Sequence, residues 1–177
     1  MDFGALLSQT WTKFIENIVD LVLFALVGFL LFFTIILIPS SIGGLTKEFL
    51  AFARTGKKPD YNELWSFNNY AQILLFCIVA GILIPIGFML LIIPGVYLSI
   101  IWMYSVYYIV DKDLDFIAAM KKSRNHVQES GFFNHFVVFL IVGIIGGVGF
   151  SAAFFGSLLT TPFTMLFMAL AYNSSKK

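Results

Sequence analysis

Residues 64–110 read LWSFNNYAQILLFCIVAGILIPIGFMLLIIPGVYLSIIWMYSVYYIV and contain no Asp, Glu, Lys or Arg. A helix needs about 20 predominantly apolar residues to cross the hydrocarbon core of a bilayer, so this stretch is long enough for two crossings. Pro94 and Gly95 interrupt it, and a proline ends one helix and favours the first turn of the next. The stretch therefore predicts a helical hairpin, with spans at 70–93 and 95–110 and a turn at Pro94 and Gly95.

Two further stretches, 21–46 and 131–175, also lack all four charged residue types. Pro39 interrupts the first and Pro162 the second, so each predicts another hairpin whose turn lies at the proline. The fold class is therefore expected to be all-α, with about six transmembrane or re-entrant helices arranged as three proline-turn hairpins. The predicted spans are 18–38, 40–54, 70–93, 95–110, 133–159 and 162–174.

The composition of the whole chain agrees with a membrane environment. Of its 177 residues, 59% are hydrophobic and 12% are charged, and the mean hydropathy is +0.91. Soluble domains carry about 25% charged residues because their outside faces water. The length favours one domain, so residues 1–177 are expected to form a single integral membrane domain and not a soluble enzyme.

The three hairpins, at 14–54, 67–110 and 132–174, look like copies of one unit. Each begins with aromatic residues and an Asn and then runs to its proline. Internal repeats are common in membrane transport folds, so a repeat architecture is expected. The alternative is that apolar helices resemble one another by chance.

The Lys and Arg residues fall on one side of this map. Lys47 and Arg54 lie in span two towards its C-terminal end. The others lie before span one, between spans two and three, between spans four and five, and after span six, and the proline turns carry none. Cytoplasmic loops carry the Lys and Arg excess in membrane proteins. The chain is therefore expected in the cytoplasmic (inner) membrane, crossing it several times, with both termini in the cytoplasm.

The second arm of each hairpin is short. At about 1.5 Å per residue, a helix of about 15 residues reaches about 22 Å, less than a hydrocarbon core of about 30 Å. The arms 40–54 and 162–174 therefore either tilt to span the bilayer or stop partway as re-entrant segments. Lys47 and Glu48 lie inside the first of these arms and form a candidate intramembrane polar pair, since ionisable residues within a membrane usually mark function. The alternative is that this span ends near Thr46.

Amphipathic segments separate the hairpins and are expected to lie in the cytoplasmic interface. Residues 114–127 place apolar side chains at three-residue steps on one face, while Lys121, Lys122 and Arg124 crowd the polar side. Asp60 is predicted to cap a similar segment. The basic face either recognises an anionic lipid or a partner protein, or it anchors the helix by placing its cations among lipid headgroups.

The fifth span carries a stripe of small residues. Gly143 and Gly147 have the four-residue spacing that lets two helices approach closely, and Ala153 and Gly156 continue the stripe. These residues are expected to pack against another span of the same chain. The alternative is a seam between two copies of the protein.

No catalytic, cofactor-binding or metal-binding residues are predicted. His126 and His135 lack the spacing of a helical metal site and are expected to be interfacial residues with ordinary hydrogen bonds. The sequence has no phosphate-binding glycine loop, and its net charge of +1 gives no support for nucleic acid as a partner. The chain is therefore expected not to be an enzyme.

One stretch carries a resemblance to known families. Residues 90–98 read LLIIPGVYL, and they are followed by Trp102, Tyr104 and the segment 118–123, AAMKKS. The chain resembles a broad set of small bacterial and archaeal multi-pass membrane proteins of unknown function, and it is similar to the membrane domain of some glycerophosphoryl diester phosphodiesterases. The resemblance implies six spans and no catalytic residues in this part. With no phosphodiesterase domain in the chain, it implies no such activity.

A non-enzymatic role is the main expectation: a scaffold or accessory subunit that packs against membrane lipids and against other membrane proteins or a second copy of itself. The alternative is a small transporter, channel or lipid-handling protein, which the repeat and the pair Lys47 and Glu48 favour. Because polar side chains within the predicted spans are few, a lipid or another apolar cargo suits that alternative better than an ion.

Overall fold

The computed structural model describes residues 2–31, 37–151 and 153–175, and every regular element in these ranges is helical. The all-α fold class is therefore confirmed. A 3-10 helix, Tyr61–Trp65, lies between the third and fourth α-helices. In chain order, the α-helices of the described residues are α1 (Phe3–Glu16), α2 (Ile18–Leu31), α3 (Ile38–Thr55), α4 (Tyr70–Leu90), α5 (Ile92–Trp102), α6 (Ser105–Lys112), α7 (Phe116–Glu129), α8 (Phe132–Ser151) and α9 (Ala153–Ser174).

Aspartates begin two of the polar segments between the apolar helices. The carboxylate of Asp60 accepts a hydrogen bond from the backbone N–H of Asn62 at 2.9 Å and so caps the 3-10 helix. The carboxylate of Asp115 accepts from the N–H of Ala118 at 2.9 Å and caps α7 in the same way. Such caps satisfy N–H groups that have no partner within the helix. The predicted cap at Asp60 is confirmed.

Pro39 and Pro94 lie within the first turns of helices and not between two helices. Leu91 has an extended backbone, with φ of −161° and ψ of 144°, and separates α4 from α5. Pro94 and Gly95 lie in the first turn of α5, and Pro39 lies in the first turn of α3. Proline is tolerated there because its missing N–H would have no helical partner. The predicted turns at Pro39 and Pro94 are therefore helix starts.

The turn predicted at Pro162 is wrong. Pro162 is buried inside α9, which already includes Ala153, so the boundary between the predicted spans 133–159 and 162–174 is displaced. Thr160 of α9 faces Gly149 of α8. Sequence reasoning took the proline as the end of a helix, but a proline inside a packed helix is tolerated where neighbouring side chains replace the lost bonding.

Threonine hydroxyls bond the backbone on both sides of the proline of α9. The hydroxyl of Thr160 donates to the carbonyl of Gly156 at 3.1 Å, and the hydroxyl of Thr164 donates to the carbonyl of Thr161 at 2.9 Å. The carbonyl that loses its N–H donor to the proline is that of Leu158, four residues before it. Helix α9 nevertheless continues past the proline to Ser174.

Helices α3 and α9 form the centre of the structure. Helix α3 packs against α2, α4, α6, α9 and the 3-10 helix, and α9 packs against α1, α2, α3 and α8. Several of their large apolar side chains are fully buried, including Phe49, Phe52, Leu166 and Phe167. The core of the protein therefore lies along these two helices.

Three helical segments of the described residues are long and apolar enough to cross a membrane: Tyr70–Leu90, Ile92–Lys112 and Phe132–Gly149. The second of them covers α5 and α6 and bends at Met103 and Tyr104. The first and third lie on the outside of the structure and expose much of their apolar surface.

The segment around the 3-10 helix packs tightly along α3. A Cβ atom added at Gly44 would lie 2.5 Å from the carbonyl oxygen of Glu63, so only glycine fits at this crossing. The hydroxyl oxygen of Ser40 lies 3.0 Å from the carbonyl oxygen of Leu64 and 2.6 Å from that of Ser66. Small and hydroxyl side chains of α3 thus let a second backbone lie against it.

Candidate functional site

The C-terminal ends of α3, α6 and α9 meet through one carboxylate. Asp111 accepts a hydrogen bond from Nη1 of Arg54 at 2.5 Å and another from the hydroxyl of Tyr172 at 3.2 Å. Nε of Arg54 donates to the side-chain oxygen of Asn173 at 3.0 Å. The side chain of Asp111 is 8% exposed, so this ion pair is better shielded from water than a surface pair. It fixes three helix ends relative to one another.

A cluster of tyrosine and histidine rings lies beside this carboxylate. The hydroxyl of Tyr104 is 3.1 Å from Nδ1 of His135, and the hydroxyl of Tyr108 is 2.6 Å from Nδ1 of His126. Both histidines are buried within the protein, and their contacts with the tyrosines are hydrogen bonds of ordinary kinds. Their position at the membrane interface stays a prediction. The tyrosine–histidine cluster consists of Tyr104, Tyr107, Tyr108, His126, His135 and Tyr172.

Helix geometry explains how α6 presents these hydroxyl groups. Tyr104 and Tyr108 are four residues apart, so their side chains project from the same face, towards α7 and the start of α8. On the other side of its ring, Nε2 of His126 lies 2.5 Å from the hydroxyl oxygen of Ser175, just beyond α9. A continuous chain of polar groups therefore links Tyr108, His126 and Ser175.

Ser123 of α7 closes the bend between α5 and α6. Its hydroxyl donates to the carbonyl of Ile101 at 2.7 Å and accepts from the backbone N–H of Tyr104 at 3.2 Å. Both backbone groups lose their regular helical partners at the bend, and one buried hydroxyl satisfies them together. The amphipathic helix is thereby joined to the middle of the segment Ile92–Lys112.

Two buried polar atoms of the described residues have no hydrogen-bond partner: Nε2 of His135 and the hydroxyl oxygen of Ser105. A buried polar group without a partner costs about 1–3 kcal/mol. Both atoms belong to residues in or next to the tyrosine–histidine cluster. The cluster is thus the part of the described core where polar groups are concentrated and incompletely satisfied.

A cavity of about 670 Å³ opens beside the cluster. Lys112 and Lys122 contribute two cations to its wall, and Glu129 contributes one carboxylate. Ser130 and Ser175 add hydroxyl groups. The cavity wall therefore combines apolar surface with polar groups whose charge balance is positive, and it suits a group that carries a negative charge or hydroxyls.

Lys47 and Glu48 do not pair with each other. Nζ of Lys47 lies 2.8 Å from the carboxylate of Glu63, and the carboxylate of Glu48 accepts from the backbone N–H of Asp60 at 2.9 Å. Helix α3 continues beyond both residues to Thr55. The two side chains hold the segment around the 3-10 helix against α3.

Gly143 and Gly147 lie on an open face of α8. No described atom would come within 4 Å of a Cβ added at either residue, so neither packs against another helix of the described chain. Gly156 is half-buried in α9, and the side chain of Ala153 lies outside the described part of the structure. The expected packing within the chain is not seen at Gly143 and Gly147, and a seam between copies stays a prediction.

The three cations of the basic face line two different cavities. Lys121, Lys122 and Arg124 are all exposed on α7, and none of them makes an ion pair or hydrogen bond within the described residues. Lys122 lines the polar cavity beside the cluster. Lys121 and Arg124 line a second, more apolar groove against α4 and α5.

The tyrosines of the cluster were not predicted as site residues. Their signal in the sequence was weak: Tyr104 and Tyr108 stand one turn apart within an otherwise apolar run, while the histidines follow far along the chain. Within the described residues, no group of three or more His, Cys, Asp or Glu side chains could hold a metal ion.

No protein-family model, curated protein or solved structure matches this chain.

Proposed function

We propose that the chain is a multi-pass integral membrane protein of the cytoplasmic membrane, built from three hairpins, that acts as a non-enzymatic scaffold or accessory subunit. The observation that carries the proposal is the exposure of the two outer apolar helices. In both α4 and α8, 17% of an apolar stretch of 18 residues is buried inside the protein. Soluble monomers rarely expose apolar patches of this extent, whereas hydrocarbon covers them without cost.

The distribution of charge supports an orientation with both termini in the cytoplasm. Arg54, Asp111 and Tyr172 join three helix ends on one side. On the same side, Lys58 pairs with Asp20 at 2.8 Å, and this hydrogen bond raises the pKa of the Lys58 ammonium group above its ordinary value. The turn between α4 and α5 carries only uncharged residues. A cationic side and an uncharged side match the positive-inside rule.

Cysteine labelling tests the topology. The only native cysteine, Cys77, is first replaced by alanine, and single cysteines are then placed at Lys57 and at Met89, both of which are exposed. In sealed vesicles we expect a membrane-impermeant maleimide to reach Cys at position 57 from the cytoplasmic side and Cys at position 89 from the opposite side. Labelling of both from one side would overturn the hairpin topology, and release of the protein by alkaline carbonate would overturn membrane integration.

The scaffold role rests on the apolar surface and on the open face at Gly143 and Gly147, which suits close approach of another helix. We also propose that the chain is related to the small multi-pass membrane proteins that its sequence resembles. Purification in a mild detergent, followed by mass spectrometry of proteins that co-purify in stoichiometric amounts, tests it. We expect a second membrane protein or a second copy of the chain. A homogeneous monomer obtained at every detergent concentration would count against the scaffold role.

A lipid-handling role is the second candidate, and the cavity beside the tyrosine–histidine cluster favours it. Its volume of about 670 Å³ and its cationic wall at Lys112 and Lys122 suit a phospholipid headgroup. Proteoliposomes with a fluorescent phospholipid in both leaflets test this role by dithionite reduction. Accelerated exchange between leaflets would favour lipid handling over the scaffold role, and vesicles indistinguishable from protein-free ones would reject it.

A further inference from the structure

The groove that Lys121 and Arg124 line has an apolar wall. It measures about 460 Å³ and lies between the packed pair α4 and α5 and the amphipathic helix α7. Val79 of α4, Leu98 of α5 and Ile117 of α7 form part of this wall. An apolar slot of this kind is shaped to take a hydrocarbon chain, since burial of apolar surface is its main source of affinity.

Two cations border the same groove. Lys121 and Arg124 are three residues apart on α7, so they project from the same side of the helix. Neither makes an ion pair or hydrogen bond within the described residues, and no carboxylate lines the groove. The guanidinium group of Arg124 offers paired donors that match phosphate oxygens. An apolar slot beside two unpaired cations is complementary to an amphiphile with a negative head.

Lys122 provides an internal contrast. It is the neighbour of Lys121 in the chain and is equally exposed, yet it lines the polar cavity on the other side of α7 together with Glu129. The same helix thus carries cations of equal charge inside and outside the groove. If replacing Lys121 or Arg124 weakens lipid binding and replacing Lys122 does not, the cations act at a local site and not through general attraction to a negative surface.

We propose that this groove binds one molecule of an anionic glycerophospholipid, with an acyl chain along α5 and the phosphate between Lys121 and Arg124. The inference rests on the proposed membrane integration and adds a ligand to it. A zwitterionic lipid is bound less well, because its ammonium group has no carboxylate to meet in the groove. The indole of Trp102, which also lines the groove, lies beside the bound chain.

The position of Trp102 allows a direct measurement. Trp11 and Trp65 are 60% and 51% exposed, so their replacement by phenylalanine leaves Trp102 as the only tryptophan with little effect on packing. This variant is reconstituted into phosphatidylcholine vesicles that contain a minor fraction of either brominated phosphatidylglycerol or brominated phosphatidylcholine. Bromine quenches tryptophan on contact, so quenching reports which lipid occupies the groove.

We expect brominated phosphatidylglycerol to quench Trp102 well beyond its share of the lipid. Arg124→Gln and Lys121→Gln should each lower this preference by about tenfold, since each removes a charge-assisted hydrogen bond to the phosphate. Lys122→Gln, the matched control, should leave it unchanged. Val79→Phe, which narrows the slot without changing charge, should lower the quenching as well.

The outcomes separate this inference from the topology on which it rests. Equal quenching by the two brominated lipids would overturn the site while leaving membrane integration in place. An equal loss in Lys122→Gln and Arg124→Gln would also overturn it, because the attraction would then belong to the whole basic face. Absence of quenching by either lipid would overturn the site, and resistance of the same vesicles to alkaline carbonate extraction would show that membrane integration stands.

Discussion

The central helix α3 and the outer helix α4 differ in what surrounds them. Only 17% of the apolar 18-residue stretch of α4 is buried, and its exposed surface consists mainly of large aliphatic side chains. Helix α3 is buried over most of its length and includes Ser40, Ser41 and Thr46 among its buried residues. A helix that faces lipid has to be apolar around its exposed surface, whereas a helix that faces protein can carry polar groups if neighbours satisfy them.

The same contrast holds between α9 and α8. Side chains of α9 fill the core, whereas α8 leaves Ile144 and Val148 exposed at 65% each. Stability in the proposed bilayer therefore comes from the central helices, where packing and hydrogen bonding are specific to this protein. The outer helices contribute mainly the surface that contacts lipid or a partner.

The sharpest test of this contrast is a pair of truncations. Phe167→Ala removes a fully buried ring of α9 and should lower the free energy of unfolding by about 3–5 kcal/mol, because it leaves a cavity in the core. Ile144→Ala on the exposed side of α8 should change it by less than about 0.5 kcal/mol. Thermal unfolding in one detergent measures both. Equal effects would remove the distinction between centre and periphery.

Glycine substitutions give the next largest effect. Gly44→Ala would place its Cβ 2.5 Å from the backbone oxygen of Glu63, so we expect a loss of about 2 kcal/mol or more from overpacking. Gly147→Ala meets open space and should leave the stability of the monomer unchanged, or raise it slightly through helix propensity. The same unfolding assay compares them. If Gly147→Leu leaves the oligomeric state unchanged, the proposed seam between copies is rejected.

The smallest effect is expected at the ion pairs. Asp111→Asn removes the charge that holds Arg54 and Tyr172, and because Asp111 is shielded and Arg54 is 39% exposed, we expect a loss of about 1–2 kcal/mol. Glu63→Gln breaks a more exposed pair with Lys47 and should cost less than about 1 kcal/mol. Chemical unfolding of the two variants ranks them. A larger loss in Glu63→Gln would show that the junction of helix ends is not a centre of stability.

Local features of the sequence were enough to predict a large part of the fold. The uncharged run at 64–110 predicted helices that pack against one another, and the spacing of apolar residues predicted the amphipathic helix α7. The cap at Asp60 was predicted in the same way. Such features depend on neighbours within one or two turns. They also located the basic face, and its exposure agrees with the structure.

Features that depend on distant partners escaped prediction. Pro162 was taken as a turn because its tolerance inside α9 depends on packing against other helices of the core. The burial of His126 and His135 was not predicted, because the tyrosines that hold them, on and just before α6, lie far away along the chain. The candidate site is made almost entirely of such long-range contacts, so hydropathy and spacing could not assemble it.

Ser123 gives the amphipathic helix a mechanical link to the apolar core. Its hydroxyl satisfies both backbone groups freed by the bend between α5 and α6. If α7 lifts away, those two groups are left unpaired in an apolar setting, so α7 and the bend can move only as one unit. Force applied to α7 is therefore transmitted through Ser123 to the hinge, and through His126 to the ring of Tyr108.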